Sequence, residues 1–486
     1  MKPIRTSVIK TELLIDNLDI ATSQYLDVYD PGNFSQLVGM VAQATTFQVD
    51  QAVSSAHAAF KEWSKTDLLT RSELLLKAAA ILDAEAPHAI ELMARESGML
   101  LNINKAEIGM AANIIRDNVE LAAEFLQPKK VEDDASWVSI EKRPIGVIAG
   151  IVSWNAPVIL TMRKLAPALV CGNTIVIKPS PLACMGISML LKKMAAIFPP
   201  GVINVVHGGA EVGDALTTHP LIRKISFTGG AKVAEVIMKN AAGSIKDVQF
   251  ELGGNDPAII LDDANIEDLI PKLVGGVFRR SGQFCFAVKR IYVPENIYDI
   301  FFNRLIQEVA KFKVGHPLSA GVTFGPMNNR LQYQFIKDLI ERTRQAGAEV
   351  IELGEIMDPA TWAQGYYLLP AVVKHANPEL EVVLTEQFGP VIPVVSYRTE
   401  ADVIRMANQT ELGLGSSVWS SNFDRALAVA RQLEAGMTFI NQAGTSRLGQ
   451  KNIPFGGVKR SGIGRESSEI GLGEYVEYHG INYHKM

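Results

Sequence analysis

The chain has 486 residues, 48% hydrophobic and 20% charged, and a formal net charge of -5. That length exceeds what a single core usually serves, so two or three domains are expected in an ordinary globular composition. The mild negative balance gives no electrostatic reason to expect nucleic acid or an anionic membrane as partner, and three cysteines cannot form a disulfide framework. No CxxC or Cys/His cluster suggests zinc or any other metal site. Met1-Lys2-Pro3-Ile4-Arg5-Thr6 leads into polar sequence without an apolar signal core. No apolar run approaches the roughly 18 residues needed to span a bilayer, so a cytoplasmic enzyme is expected.

Residues 1 to about 50 alternate short apolar groups with turn residues such as Asp30-Pro31-Gly32-Asn33 and read as strands and loops. From Asp50 to about Leu126 apolar residues recur at three- and four-residue spacing, as Val53, Ala56 and Phe60 do, which predicts helix. Pro128 to Asp134 forms a polar bridge into the alternating stretch Trp137 to Arg143, an exposed hairpin or edge strand. An exposed edge needs a partner, and the tail Tyr475 to Tyr483 alternates in the same way. Both are expected to serve in oligomerisation.

From Ile145 the rhythm becomes strand then helix. Gly146 to Val152 precedes a helix from about Pro157 to Val170, and Thr174 to Lys178 precedes one from Leu182 to Ile197. Val202 to Val206 precedes a shorter helix, and Lys224 to Thr228 precedes Ala231 to Asn240. Apolar β-branched runs alternating with helices predict a parallel α/β sheet, whose ligands bind beyond the carboxyl ends of the strands. Ser153-Trp154-Asn155, Lys178-Pro179-Ser180 and Thr228-Gly229-Gly230 occupy such ends. No GxGxxG occurs, so a standard dinucleotide fingerprint is not claimed. After Glu251-Leu252-Gly253-Gly254 the mixed character repeats, with helices at about 296–313 and 328–346 and strand-rich sequence around Tyr366 to Pro370 and Pro393 to Ser396.

Cys171 and Cys184 sit in small, apolar surroundings, as buried thiols do. Cys285 differs. It lies in Arg279-Arg280-Ser281-Gly282-Gln283-Phe284-Cys285, where nearby arginines would favour the thiolate. Local context leaves it open between a nucleophile and a structural thiol. It likewise leaves Asn155 open to being a turn residue before Pro157, and Glu251 to being a solvated carboxylate.

Trp154-Asn155, Glu251-Leu252-Gly253-Gly254, Gly282-Gln283-Phe284-Cys285, Glu386-Gln387-Phe388-Gly389-Pro390 and Pro454-Phe455-Gly456-Gly457 occur in order. In this arrangement the chain resembles the aldehyde dehydrogenase superfamily over nearly its whole length. The resemblance implies an α/β fold: a Rossmann-like cofactor domain from 1–126 and 146–253, a catalytic α/β domain at 254–470, and a small β extension from 127–145 and 471–486. It implies Cys285 as nucleophile, the Asn155 amide with the cysteine's backbone N–H as oxyanion donors, and Glu251 as the base that hydrolyses a thioester. NAD or NADP is implied as cofactor, a small aldehyde as substrate, and a homodimer or homotetramer as assembly. By the same match Ile151, Val152, Ser153, Trp154, Lys178, Gly213, Phe227, Thr228, Gly229, Gly230, Leu252, Glu386 and Phe388 are expected to meet the cofactor.

Two departures bear on specificity. Pro181 stands where many NAD-preferring relatives carry a glutamate for the adenosine ribose, which opens the site to NADP. Arg163 and Arg279 stand at tunnel positions that are often aromatic, in a pattern similar to succinic semialdehyde dehydrogenases, where they clamp a remote carboxylate. The expected substrate is therefore a polar or ω-carboxylated semialdehyde, with a hydroxylated, sugar-type or aromatic aldehyde as the alternative. Either arginine pairing with an internal acid such as Glu411 or Glu434, or facing solvent, would weaken the clamp. From another class, Cys285, Asn155 and Glu251 could make a thiol esterase.

Overall fold

The computed structural model describes residues 8–444 and 448–485. The amino-terminal stretch Met1 to Thr6 read above, and Met486, lie outside these. The long helical stretch resolves into three helices, Thr46–Trp63, Leu68–Ser97 and Leu101–Phe125. Their starts are chemically marked. Thr45 and Gln48 close a reciprocal capping box at the first, and the Asp67 carboxylate accepts from the Thr70 N–H at the second. Gly98, at φ 77°, ends the second.

Eight strands form the first sheet, and its five central strands run parallel. In spatial order these are Asp247–Glu251, Ile222–Thr228, Val147–Ile151, Thr174–Lys178 and Ile203–Val205. Period-two alternation divides their side chains between two cores. Ile148, Ile175 and Ile177 face one helical layer, whereas Val147, Ala149 and Val176 face the other. The chain moves outward one way from Val147–Ile151 and then returns to pair Ile222–Thr228 with its other side. The crevice between the ends of those two strands is the topological switch point, where α/β sheets receive ligands.

The second sheet has seven strands, with Val288–Pro294 flanked by Val391–Tyr397 and Asp256–Ile260, all parallel. The strand-rich reading around Tyr366 to Pro370 is displaced: the strand is Ala371–Lys374, and the residues before it anchor an amino-terminal loop. Tyr366 donates its N–H to the Pro31 carbonyl at 2.9 Å, and the Tyr367 hydroxyl donates to the Gly32 carbonyl at 2.9 Å. The aromatic pair had read as strand because β propensity cannot separate a pleat from a loop clamp.

The sheets are also joined where no pattern pointed. Gly462–Ile463 pairs antiparallel with Asp247–Glu251, so a segment from late in the chain edges the first sheet beside Glu251. Two residues are too few to carry a periodicity. Val476–His484 pairs with Ser136–Pro144 over nine residues, and Lys129–Glu132 lines the other side of that ribbon with every residue exposed.

Candidate active site

The turn after Val147–Ile151 carries Ser153, Trp154 and Asn155 into the switch-point crevice and then enters the helix Pro157–Val170. Proline at the first helical position suits that start. The helix's free N–H groups are met from a distance: the buried Glu107 accepts from Val158 at 2.8 Å and Ile159 at 3.4 Å. Its other oxygen takes a 2.7 Å bond from Arg280, whose guanidinium also donates to the Asn155 carbonyl at 2.8 Å. Glu107 and Arg280 therefore staple the Asn155 turn to the cysteine turn.

That second turn is unusual backbone. Arg280, Ser281 and Gly282 all have positive φ, of 55°, 56° and 75°, and left-handed conformation in non-glycine residues needs support from its surroundings. Ser281 donates to the Gly325 carbonyl at 2.9 Å, and Gln283 receives the Asn328 N–H at 2.9 Å while donating to Pro326 at 3.3 Å. Gly282 is packed as well as strained, since a Cβ there would stand 2.3 Å from the Gly389 carbonyl oxygen. Cys285 emerges from this turn just before the strand Val288–Pro294.

Burial pushes the Cys285 thiol up to about 12. The expectation that its neighbouring arginines would favour the thiolate is corrected here. Arg280 is committed to Glu107 and Asn155, and Arg279 stacks over the Phe284 ring at 5.0 Å. The charges that oppose the upward shift are Lys289 first and Arg163 after it.

Glu251 ends its strand with both carboxylate oxygens buried and without a hydrogen-bond partner among the described residues. Burial, then the nearby Glu466 carboxylate, raises its pKa well above the usual carboxylate range, opposed by Lys164, Arg163 and Arg465. A carboxyl so held takes up and releases a proton more readily near the working pH than a solvated one does. Glu466 is itself enclosed, with Lys164 at 2.7 Å and Arg163 at 3.5 Å. A Cβ on Gly456 would sit 2.7 Å from a Glu251 oxygen, so the Pro454-Phe455-Gly456-Gly457 segment closes over that carboxyl.

Two cavities meet at this point. One of about 810 Å³ runs past Trp154, Thr228, Gly229, Glu251, Glu386 and Phe388; the other, of about 500 Å³, runs past Arg163, Arg279, Phe284, Phe286, Phe439 and Phe455. Asn155 and Cys285 line both. A reactant in either chamber therefore reaches the same thiol and amide.

The larger cavity gathers most of the residues expected to meet a cofactor. Ser153, Trp154, Thr228, Gly229, Gly230, Leu252, Glu386 and Phe388 line it. Phe388 packs edge-on against Trp154 at 5.5 Å. The N-terminus of the helix Ala231–Ala242 opens there without a side-chain cap, and the Thr228 hydroxyl is buried without a partner. Free N–H groups and an unmet hydroxyl fit a pyrophosphate. Ile151, Val152 and Phe227 are buried at the strand ends and do not line this cavity. Lys178 also stands off it, beside Gly213, where a Cβ would lie 3.9 Å from the lysine Cε. Burial lowers the Lys178 ammonium to about 8.

The two tunnel arginines are not equivalent. Arg163 does pair internally, but with Glu466 and the Gln450 amide at 2.9 Å rather than with Glu411 or Glu434, and its guanidinium lies 3.9 Å over the Phe455 ring. Lys459 pairs with Glu434, and Arg460 reaches Glu411 at 3.6 Å. Arg279 has no ion pair among the described residues and faces the smaller cavity. Sequence reasoning missed Glu107, Lys164, Glu466 and Lys289. Each is a charge whose partner lies far along the chain, and no local spacing marks it.

The sequence matches the aldehyde dehydrogenase family over residues 20–481. It is 35% identical over 482 residues to aldehyde dehydrogenase 1A1 of Homo sapiens, covering 96% of this chain and 93% of that one. It is 34% identical over 479 residues to 2-aminomuconic semialdehyde dehydrogenase of Homo sapiens, covering 97% of each. The fold resembles that of betaine aldehyde dehydrogenase from Staphylococcus aureus in complex with NAD+, with a TM-score of 0.92, 30% identity, and coverage of 97% of this chain and 94% of that one.

Proposed function

The chain belongs to the aldehyde dehydrogenase family, and from that premise we propose that it converts an aldehyde to a carboxylate through a covalent adduct on Cys285. The observation that carries this reading is the position of Cys285 and Asn155 on the wall shared by the two cavities. A carbonyl entering from the aromatic chamber meets the thiol, and its oxygen is received by the Asn155 amide and the Cys285 N–H. The proton leaving sulfur is taken up on the Glu251 side, since the thiol is held neutral until a substrate and base draw the proton away. A nicotinamide held in the larger cavity by Trp154, Glu386 and Phe388 would supply the hydride acceptor. Once it has released the sulfur's proton to solvent, Glu251 takes a proton from the water that attacks the resulting thioester and passes it to the departing sulfur, returning the thiol and releasing the acid. The Lys164, Arg163 and Arg465 charges near it favour the charged form of this base, against burial and the Glu466 carboxylate.

NAD or NADP serves this site. Trp154, Glu386 and Phe388 would hold the nicotinamide end, Thr228, Gly229 and Gly230 the pyrophosphate, and Lys178 the adenosine ribose. Pro181 in place of a carboxylate supports acceptance of a 2′-phosphate beside Lys178.

For the substrate, Arg279 supports an ω-carboxylated semialdehyde, since it is the tunnel cation without an acidic partner among the described residues. The substrate in the name of the relative 2-aminomuconic semialdehyde dehydrogenase is in keeping with that class. The succinic semialdehyde type is its compact instance. The phenylalanines around the same chamber support a second reading, an aromatic aldehyde. The exposed ribbon of Ser136–Pro144, Val476–His484 and Lys129–Glu132 supports pairing between copies in a homodimer or homotetramer.

Absorbance of reduced nicotinamide, followed over a panel of aldehydes with NAD and with NADP, tests the whole reading. Ester hydrolysis without any nucleotide reduction would instead assign a thiol esterase.

A further inference from the structure

Lys289 is the first residue after Cys285 whose charge is buried, at 2% exposure. A buried ammonium is costly unless it is paired, and this one is paired in a telling way. It donates to the carbonyls of Phe284 at 3.2 Å and Cys285 at 2.5 Å, and it stands 3.2 Å from the Glu386 carboxylate. The same residue's carbonyl accepts the Gln387 side-chain amide at 3.2 Å. Its ammonium also lies 5.9 Å from the centre of the Phe388 ring. One residue thus joins the nucleophile loop to the Glu386-Gln387-Phe388 segment by its main chain and its side chain.

We propose that Lys289 is a positioning residue that couples Cys285 to Glu386, supplying the positive charge beside the thiol and sharing it with the carboxylate on the cofactor side. The cofactor arm of the proposal rests on the reading of Glu386 as a nicotinamide-ribose group; the electrostatic arm does not. The other charged groups facing the thiol are Glu251 and Asp256, which oppose ionisation, and Arg163, which favours it. Glu466 acts behind Glu251. Asp256 faces Lys289 as well, and burial raises its carboxyl to about 7. Arg290 is spent on the carbonyls of Asn255, Met406 and Ala407. Lys289 is therefore the cation whose charge is divided between a thiol and carboxylates. Whatever engages Glu386 changes how much of that charge the sulfur sees.

The test is the pH profile of Cys285 alkylation by iodoacetamide, without aldehyde, in the full-length protein and three variants. Lys289→Met should move the profile up by about one pH unit, which is about tenfold slower alkylation at a fixed pH below the midpoint. Glu386→Gln should move it down, because Lys289 loses its carboxylate. Lys289→Arg should return most of the wild-type profile. NAD should shift the wild-type profile and leave that of Lys289→Met unmoved. Shifts of Lys289→Met and Glu386→Gln in the same direction, or in neither case, would overturn the proposal. Should Lys289→Met fail to fold by circular dichroism, the sign of the Glu386→Gln shift decides: downward supports the coupling, unchanged or upward ends it. Failure of the aldehyde dehydrogenase reading would appear elsewhere, as absence of nucleotide reduction by the wild-type protein.

Discussion

The two chambers that meet at Cys285 are built in opposite ways. The larger takes its walls from strand ends, turns and a helix N-terminus, so its chemistry is mostly that of backbone N–H groups at a switch point. The smaller takes its walls from side chains on the helices Leu101–Phe125 and Pro157–Val170, the cysteine turn, and residues such as Met437, Phe439, Gln450, Ile453 and Phe455. A backbone-built site follows from topology and tolerates many sequences, whereas a side-chain-built site changes with each substitution. Cofactor class is therefore common property of the fold, and substrate choice belongs to this chain.

Substitutions on the shared wall should have the largest effects, because they cut both chambers off from the chemistry. Cys285→Ala should lower aldehyde oxidation by roughly 10³-fold or more, with NAD affinity by fluorescence titration unchanged. Retention of activity would remove Cys285 from the mechanism. Glu251→Gln should lower steady-state turnover by roughly 10²- to 10⁴-fold while a first burst of reduced nicotinamide survives in stopped flow. A lost burst would place Glu251 before the hydride step only. The raised Glu251 carboxyl also predicts turnover that climbs with pH above the usual carboxylate range, since the base works only once its proton is gone, and Glu251→Gln should flatten that limb. Asn155→Ala should lower kcat by about 10²-fold or somewhat more, and a change confined to KM would move it from oxyanion donor to mere wall.

Within the smaller chamber the two arginines should separate. Arg279→Ala should raise KM about 10- to 100-fold for an ω-carboxylated semialdehyde and little for benzaldehyde, the scale of a lost charge-assisted hydrogen bond. Equal effects on both substrates would sink the carboxylate contact. Arg163→Ala, by contrast, should affect both substrates alike, because the Arg163 guanidinium is already engaged by Glu466, Gln450 and the Phe455 ring. The smallest change belongs to a position off the larger chamber, three residues after Lys178. Pro181→Glu should cut the ratio of kcat/KM for NADP over NAD by about tenfold, and an unchanged ratio would mean that position 181 does not meet the adenosine ribose.

Much of this protein was legible before any fold was known. The helix Pro157–Val170 and the strand Thr174–Lys178 lie where hydrophobic rhythm and proline put them, because local pattern and tertiary burial agree there. The ordered motifs around Asn155, Glu251 and Cys285 likewise pointed to one chemistry. Tertiary structure alone decided what the charges do. Arg279 and Arg280 are adjacent in sequence, yet one is spent stapling Glu107 to the Asn155 turn while its neighbour faces the chamber. Arg163 looked like its twin and proved to be tied to Glu466, 303 positions away. The electropositive partner of the thiol is Lys289, whose sequence position says nothing of the Glu386 carboxylate it shares. Periodicity records which face of an element is apolar, but a charge declares its partner only when distant segments are brought together in a medium that makes pairing obligatory.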